Sequence, residues 1–246
     1  MIVLGDIGNS RQKWGRIESG RLVGVVALAA NDADGLAALF GDCARHPVRR
    51  LLVSSVAGEA VRRRICRQAA DDGLPAPEFA ATPPEGRGIG ITLGYHEPAK
   101  LGVDRYLAMV AAHRHYPGPV IVVDVGTAVT VDVVDGNAMH RGGAIMPGLG
   151  LMHDALERGT QGVRAPRLSS NALFGRDTAE CIATGTLHAV AGGINALVGR
   201  MSEVLDARPQ LVITGGDASA VEPLLEARYH SHPDLVLEGL AIHAGV

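Results

Sequence analysis

The feature that most constrains this chain is a strand–turn–strand pattern that occurs twice. Ile2-Val-Leu-Gly-Asp6-Ile-Gly8-Asn9-Ser10 runs into Lys13-Trp-Gly-Arg-Ile17, and Val120-Ile-Val-Val-Asp124-Val-Gly126-Thr127-Ala128 runs into Thr130-Val-Asp-Val-Val134. Each copy is a β-rich run, an Asp-x-Gly turn and a second β-rich run. The copies stand 118 positions apart in 246 residues, which predicts two similar halves, 1–118 and 119–246. Length agrees, since at about 150 residues per domain the chain fits one large domain or two compact halves.

Strands and helices alternate around the two copies. Arg21–Ala27 and Leu51–Ser55 read as strands, Asp34–Asp42 as a helix, and Glu59–Ala70 as a helix with a basic face. The stretch 75–98 is rich in proline and glycine without helical periodicity, which predicts a long functional loop. Val103–His115 reads as a helix stopped by Pro117-Gly118-Pro119. In the second half Ala138–Ile145 reads as a strand, 147–150 as a turn, Leu151–Arg158 as a short helix and 159–174 as a loop. Asp177–Val204 reads as helical with a break at Gly192-Gly193, and Gln210–Thr214 as a strand entering Gly215-Gly216-Asp217. Ala218–Glu226 and Leu237–Ala244 read as helices. The alternation predicts an α/β protein of two duplicated subdomains with mixed sheets flanked by helices.

Composition removes several functions. The net charge is −3, no Lys/Arg run supplies the electrostatic footprint of a nucleic-acid binder, and only eight residues are aromatic, so a nucleic-acid partner is not expected. Cys43, Cys66 and Cys181 are too far apart in sequence for a CxxC metal pair or a disulfide framework, which suits a reducing cytoplasm. The N-terminus lacks the basic segment of a signal peptide, and the most apolar stretch, Val120 to Val134, is short and interrupted by Asp124 and Asp132. No membrane association is expected. The pairs His113/His115 and His230/His232 do not predict a metal site, since i,i+2 side chains on a helix, where the first pair falls, point apart.

The Asp-x-Gly turns point to phosphate chemistry. Glycine at position 8 or 126 lets the backbone approach an anion closely, while the following amides and hydroxyls turn toward phosphate oxygens. Asp6 suits a water or a Mg²⁺ ion, which prefers hard oxygen ligands. One such copy is ordinary turn chemistry; two at matching strand ends favour a shared ligand. Gly143-Ala-Ile-Met-Pro-Gly148 has Walker A spacing but continues with Leu149 in place of lysine, which excludes a P-loop kinase. Gly86-Arg-Gly88-Ile-Gly90 fails the dinucleotide-binding pattern at its last position. Lys13 suits either a phosphate or the solvated surface, and Asp104 by itself suits a helix N-terminus.

Five motifs in order, Asp6-Ile-Gly-Asn-Ser10, Gly102-Val-Asp-Arg105, Asp124-Val-Gly-Thr-Ala128, Gly142-Gly-Ala-Ile-Met-Pro-Gly148 and Thr214-Gly-Gly-Asp217, resemble those of the type III pantothenate kinases. The resemblance implies the actin-like (ribonuclease H-like) fold of the sugar-kinase superfamily, whose two halves each supply a phosphate motif. It implies ATP-dependent phosphorylation of pantothenate to 4′-phosphopantothenate, the first step of coenzyme A biosynthesis. On the same basis Asp6, Ile7, Gly8, Asn9, Ser10, Arg11, Gln12 and Lys13 form the first ATP loop, Thr127 belongs to the second, and Thr214–Asp217 lies near the adenosine. Asp104 is the implied catalytic base. Tyr95, Gly102, Val103, Asp104, Arg105 and Thr178 are the implied pantothenate residues, although Thr178 also suits a plain helix cap.

Implied cofactors are Mg²⁺, assigned to Asp6, and a monovalent cation, K⁺ or NH₄⁺, assigned to Asp124; a second Mg²⁺ is the alternative at Asp124. The resemblance further implies a homodimer with the substrate pocket at or near the subunit interface. Asp177–Val204 carries few charges between Cys181 and Val198, so it must be covered on more than one side, by its own domain or by a partner. Two rival functions share the scaffold: a transcription-accessory or regulatory protein, and a kinase for another small hydroxylated substrate.

Overall fold

The computed structural model describes residues 1–160, 166 and 173–246. Residues 1–115 together with 234–246 form one unit and 116–233 the other.

The first unit opens with β1 (Ile2–Ile7), β2 (Arg11–Glu18) and β3 (Arg21–Ala29), an antiparallel meander. Helix α1 (Ala33–Cys43) follows, started by Asp32, whose carboxylate accepts the Gly35 N–H at 2.8 Å. Then come β4 (Arg50–Ser55), α2 (Glu59–Asp71) and the short strands β5 (Pro77–Phe79) and β6 (Thr92–Leu93). Helix α3 (Val103–His115) starts and stops where its sequence predicts. The five-stranded sheet has the order β3-β2-β1-β4-β5, with β4 parallel to both β1 and β5. One face packs Val3, Ile7, Leu51 and Val53 against Leu36, Phe40 and Ile65 of the helices. Trp14 meets Phe40 edge to face at 5.0 Å. Gly5 makes room for this ring, since a Cβ there would come within 2.4 Å of it.

The stretch 75–98, expected as loop, holds β5, β6 and a tight turn. Gly88 N–H donates to Ile91 O at 2.9 Å and Leu93 N–H to Gly86 O at 2.7 Å. Gly86 and Gly90 take the positive φ values this turn needs, +75° and +71°.

The second unit repeats the plan. Strands β7 (Val120–Val125), β8 (Ala128–Val134) and β9 (Met139–Pro147) form the meander. Helix α4 (Leu149–Gly159) and the 26-residue α5 (Thr178–Glu203) follow, then β10 (Gln210–Thr214), the short α6 (Ala218–Val221) and β11 (Tyr229–Ser231). Its strands stand in the order β11-β10-β7-β8-β9, with β10 parallel to β7 and β11. That is the strand order of the first sheet, read from the other edge.

Several expectations need correction here. Helix α5 is unbroken through Gly192-Gly193. Its face of Leu187, Val190, Ala191, Ile194 and Val198 packs on Val123, Val129, Val131 and Ile213, and this burial outweighs the roughly 1 kcal/mol each helical glycine costs. By length and composition alone α5 could cross a membrane, but this face is core. The helix expected over Ala218–Glu226 ends at Val221 and tightens into a 3₁₀ turn at Glu222–Leu224, where Pro223 supplies no N–H. The turn expected over 147–150 shrinks to Gly148, between β9 and α4. The loop expected over 159–174 falls mostly outside the described residues.

The chain ends in α7 (Leu235–His243). The expected second half, 119–246, included this helix; it packs instead in the first unit, against α3. Gly239 permits the approach, since a Cβ there would stand 2.0 Å from Leu107 O.

Candidate active site

The first Asp-x-Gly turn is set by sheet register. Asp6, half-buried near the end of β1, pairs with Lys13 of β2 and Ser54 of β4. Gly8 N–H donates to Arg11 O at 3.0 Å and closes a tight turn that leaves Asn9, Ser10 and Arg11 exposed. Ile7 anchors it in the core. Gln12 is fully buried; its Nε2 donates to Ala29 O at 3.0 Å and its Oε1 accepts Trp14 Nε1–H at 2.9 Å. The Gln12 side chain therefore holds β2 and β3 under the turn. Lys13 Nζ donates to Asp234 Oδ1 at 3.2 Å, and both side chains are about three-quarters buried. Asp234 is a residue that the sequence motifs do not reveal, because it is 221 positions away and carries no local pattern.

In the second unit three motifs converge on one turn. Asp124 on β7 pairs with Thr130 of β8 and Thr214 of β10. Gly126 N–H donates to Ala128 O at 3.1 Å, and Gly148 N–H donates to Thr127 O, also at 3.1 Å. A Cβ on Gly148 would stand 2.2 Å from Gly126 O. Gly215, at φ +103°, lies against the other side, where a Cβ would come within 2.4 Å of the Val125 backbone and 2.5 Å of Asp124 Oδ1. Asp217 N–H donates to Val125 O at 2.9 Å. The glycines of 142–148 and 214–217 thus brace the turn carrying Asp124 and Thr127, both half-buried.

A third group forms at the start of α3. Arg105 N–H donates to Asp104 Oδ1 at 2.7 Å, fixing the carboxylate in the first helical turn. Val103 is buried beneath it. A Cβ on Gly102 would stand 2.5 Å from the same Oδ1. Arg105, only 7 % exposed, donates from Nη1 to Tyr95 OH at 3.3 Å, and its guanidinium lies 5.6 Å from that ring's centre. The 75–98 segment that carries Tyr95 is tied down twice: Thr82 Oγ1 donates to Leu101 O at 2.8 Å, and Ile89 N–H donates to Tyr106 OH at 3.1 Å. Burial pushes the Tyr106 hydroxyl pKa up, the Ile89 N–H acting in the opposite sense, and burial alone pushes His243 below its usual value.

Thr178 is the first residue of α5 and is exposed. The cap, the alternative reading of Thr178, is supplied by Asp177, whose Oδ1 accepts Glu180 N–H at 2.8 Å, while Glu180 Oε2 accepts Arg176 N–H at 2.7 Å. The structure thus gathers Tyr95, Gly102, Asp104 and Arg105 in one unit, with the Asp6–Lys13 turn on the same unit's sheet, and Asp124, Thr127 and Thr178 in the other.

Each turn by itself offers donors of the types that a phosphate and a hard cation take. Asp6 and Asp124 offer carboxylate oxygens, and Asn9, Ser10, Arg11 and Thr127 offer amide, hydroxyl and guanidinium donors at tight glycine turns.

Two sheets of one strand order, each with an Asp-x-Gly turn joining its first two strands, define a duplicated α/β protein with the actin-like fold. A protein of Sinorhizobium meliloti assigned as a 2-dehydro-3-deoxygalactonokinase aligns with a TM-score of 0.58 at 14 % identity, covering 99 % of this chain and 98 % of its own. A Campylobacter jejuni protein assigned to the Baf family of transcriptional activators also aligns at 0.58, with 21 % identity and 99 % and 97 % coverage. At such identities the likeness concerns fold alone. The family model described as type III pantothenate kinase matches residues 2–200. The type III pantothenate kinase of Alkalilimnicola ehrlichii is 39 % identical over 96 % of this chain and 94 % of its own length, and that of Nitrosococcus oceani 34 % identical over 98 % and 92 %. The chain belongs to the type III pantothenate kinase family.

Proposed function

We propose that this protein transfers the γ-phosphoryl group of ATP to the primary hydroxyl of pantothenate, giving 4′-phosphopantothenate at the entry to coenzyme A biosynthesis. The observation that carries this reading is the Asp104 carboxylate, held by the Arg105 N–H beside the buried Arg105 and its half-buried partner Tyr95, in a chain of this family. A hydroxyl that attacks phosphorus needs a neighbouring carboxylate to orient it and accept its proton, and Asp104 takes that role. Arg105, with Tyr95, binds the anionic end of the substrate, and Gly102 and Val103 shape the approach to Asp104. Thr178 adds a hydroxyl at the start of α5.

The turn Asp6–Lys13 receives the phosphates through its backbone and through Asn9, Ser10, Arg11 and Lys13, while Ile7 and Gln12 hold it from the core. Thr127 supplies the second phosphate contact. Asp6 would hold Mg²⁺, which when bound neutralises phosphate charge, and Asp124 would hold K⁺ or NH₄⁺, offsetting a carboxylate that otherwise repels ATP.

The assembly proposed is a homodimer in the cytoplasm. Ile145 on β9, Leu156 on α4, and Leu173 and Phe174 ahead of α5 are exposed apolar side chains of the second unit, Phe174 at 78 %. They suit cover by a second copy. Incubation of the purified protein with ATP, Mg²⁺, K⁺ and pantothenate tests the function: 4′-phosphopantothenate appears by mass spectrometry, and its absence from folded protein rejects the reading.

A further inference from the structure

Helix α4 carries a cluster of donor groups that the phosphotransfer machinery does not use. His153, Asp154 and Glu157 stand at positions i, i+1 and i+4, so His153 and Glu157 share a face, and Asp154 and Glu157 form an i,i+3 pair. One ligand atom from each lies within 4.8 Å of the other two. His153 is the unusual member. Its side chain is only 10 % exposed, and neither ring nitrogen has a hydrogen-bond partner among the described residues. The nearest carboxylate oxygen, Asp154 Oδ1, is 3.8 Å from Nδ1, beyond hydrogen-bond range but short of the separation a shared ion would leave unbridged. An imidazole buried in this state has lost its hydration and gained nothing in exchange.

We propose that His153, Asp154 and Glu157 form a binding site for a divalent transition metal of the Zn²⁺ or Co²⁺ type. One imidazole nitrogen with two carboxylate oxygens is a mixed donor set that such ions accept, and three protein ligands leave a position for water. The imidazole discriminates against Mg²⁺, which takes oxygen ligands and keeps much of its hydration. The site is therefore chemically separate from the carboxylates of Asp6 and Asp124. Asp154 also meets Arg158 at 3.6 Å, but the Arg158 side chain is 76 % exposed. An ion pair so open to water contributes little. Glycine 148 immediately precedes α4 and its N–H holds Thr127 O, so an ion bound here stiffens the helix that braces the second turn.

The test titrates the full-length protein with Co²⁺ in excess Mg²⁺ and follows the visible absorption of the bound ion, with Zn²⁺ as competitor. This readout is independent of kinase activity. One Co²⁺ per chain is expected, with affinity reduced at least ~10-fold in Glu157→Gln and in His153→Phe, since even loss of an outer-shell partner costs that much. Absence of Co²⁺ binding by the unmodified chain, or wild-type affinity in either folded variant, overturns the site. Should His153→Phe fail to fold by circular dichroism, the exposed Glu157→Gln decides alone.

Discussion

Gly102 stands so close to Asp104 that a Cβ on it would lie 2.5 Å from the carboxylate oxygen that accepts the Arg105 N–H. The glycine thereby sets where the carboxylate rests. Gly102→Ala is expected to push Asp104 off that position while the helix still forms. Turnover falls at least ~10-fold with near-normal ATP affinity, as expected when a positioned base is displaced. Asp104→Asn, which keeps shape and removes basicity, lowers kcat by roughly 10²–10⁴. Steady-state kinetics beside an ATP-binding measurement checks both, and an unchanged kcat in Asp104→Asn removes Asp104 from the chemistry. A loss smaller than this range still fits a loose transition state in which the proton leaves late.

Activity is expected to need K⁺ or NH₄⁺ in addition to Mg²⁺. The Asp124 carboxylate sits beside the Thr127 turn, packed so closely against Gly215 that a Cβ there would stand 2.5 Å from its Oδ1. A cation must offset its charge. Asp124→Asn weakens the dependence on the monovalent ion or abolishes activity. Full activity of the unmodified enzyme in a buffer with Na⁺ as its sole monovalent cation would show the requirement to be absent.

Stability is expected to fall as pH drops through and below 6.5 because of His243. Its burial depresses the folded-state pKa below the ordinary 6.5. The folded form therefore resists protonation while the unfolded form accepts it, and stability present above 6.5 is lost as pH falls through the depressed value. Tyr106 OH lies 3.4 Å from His243 Nδ1, a contact in which only the neutral ring can accept. In His243→Phe, which keeps the edge-to-face packing on Tyr106, thermal melts between pH 7.5 and 5.5 should show a shallower decline. Asp135 does not confuse this window. Burial acts to raise its pKa, but the N–H groups of Met139 and Asn137 and the Arg141 guanidinium hold it below 3.8, so its contribution is lost only at lower pH.

Sedimentation equilibrium at micromolar concentration should give twice the 25.6 kDa of one chain. Phe174→Asp, which places a charge on a strongly exposed aromatic side chain, should shift the mass toward the monomer without altering the far-ultraviolet spectrum. A single-chain mass in a sample that still turns over pantothenate would show that no partner is required.

Much of the local geometry around the candidate site residues was legible because it is built from short local motifs. A strand, an Asp-x-Gly turn and a second strand specify their own hairpin, since register follows from the turn and from alternating burial. Helix α3 and strand β10 were readable to the residue for the same local reasons, a proline-glycine stop and a run of β-branched residues. Strand β11 was not readable. Tyr229-His-Ser231 is three residues without alternation, and it is a strand only because β10 offers a parallel edge.

The sequence by itself determined two β-hairpins of one design, the alternation of strands and helices around them, and the placing of Asp104 and Arg105 in a first helical turn. Each of these depends on neighbours within a few positions, where turn geometry and periodicity act directly. Tertiary structure decided what depends on distant partners. It buried Gln12 between Ala29 and Trp14, set Lys13 against Asp234, and returned α7 to the first unit through the close approach of Gly239 to Leu107. It also carried α5 straight through two glycines, because the burial of a whole helix face against a sheet exceeds the local preference of any pair of residues on it.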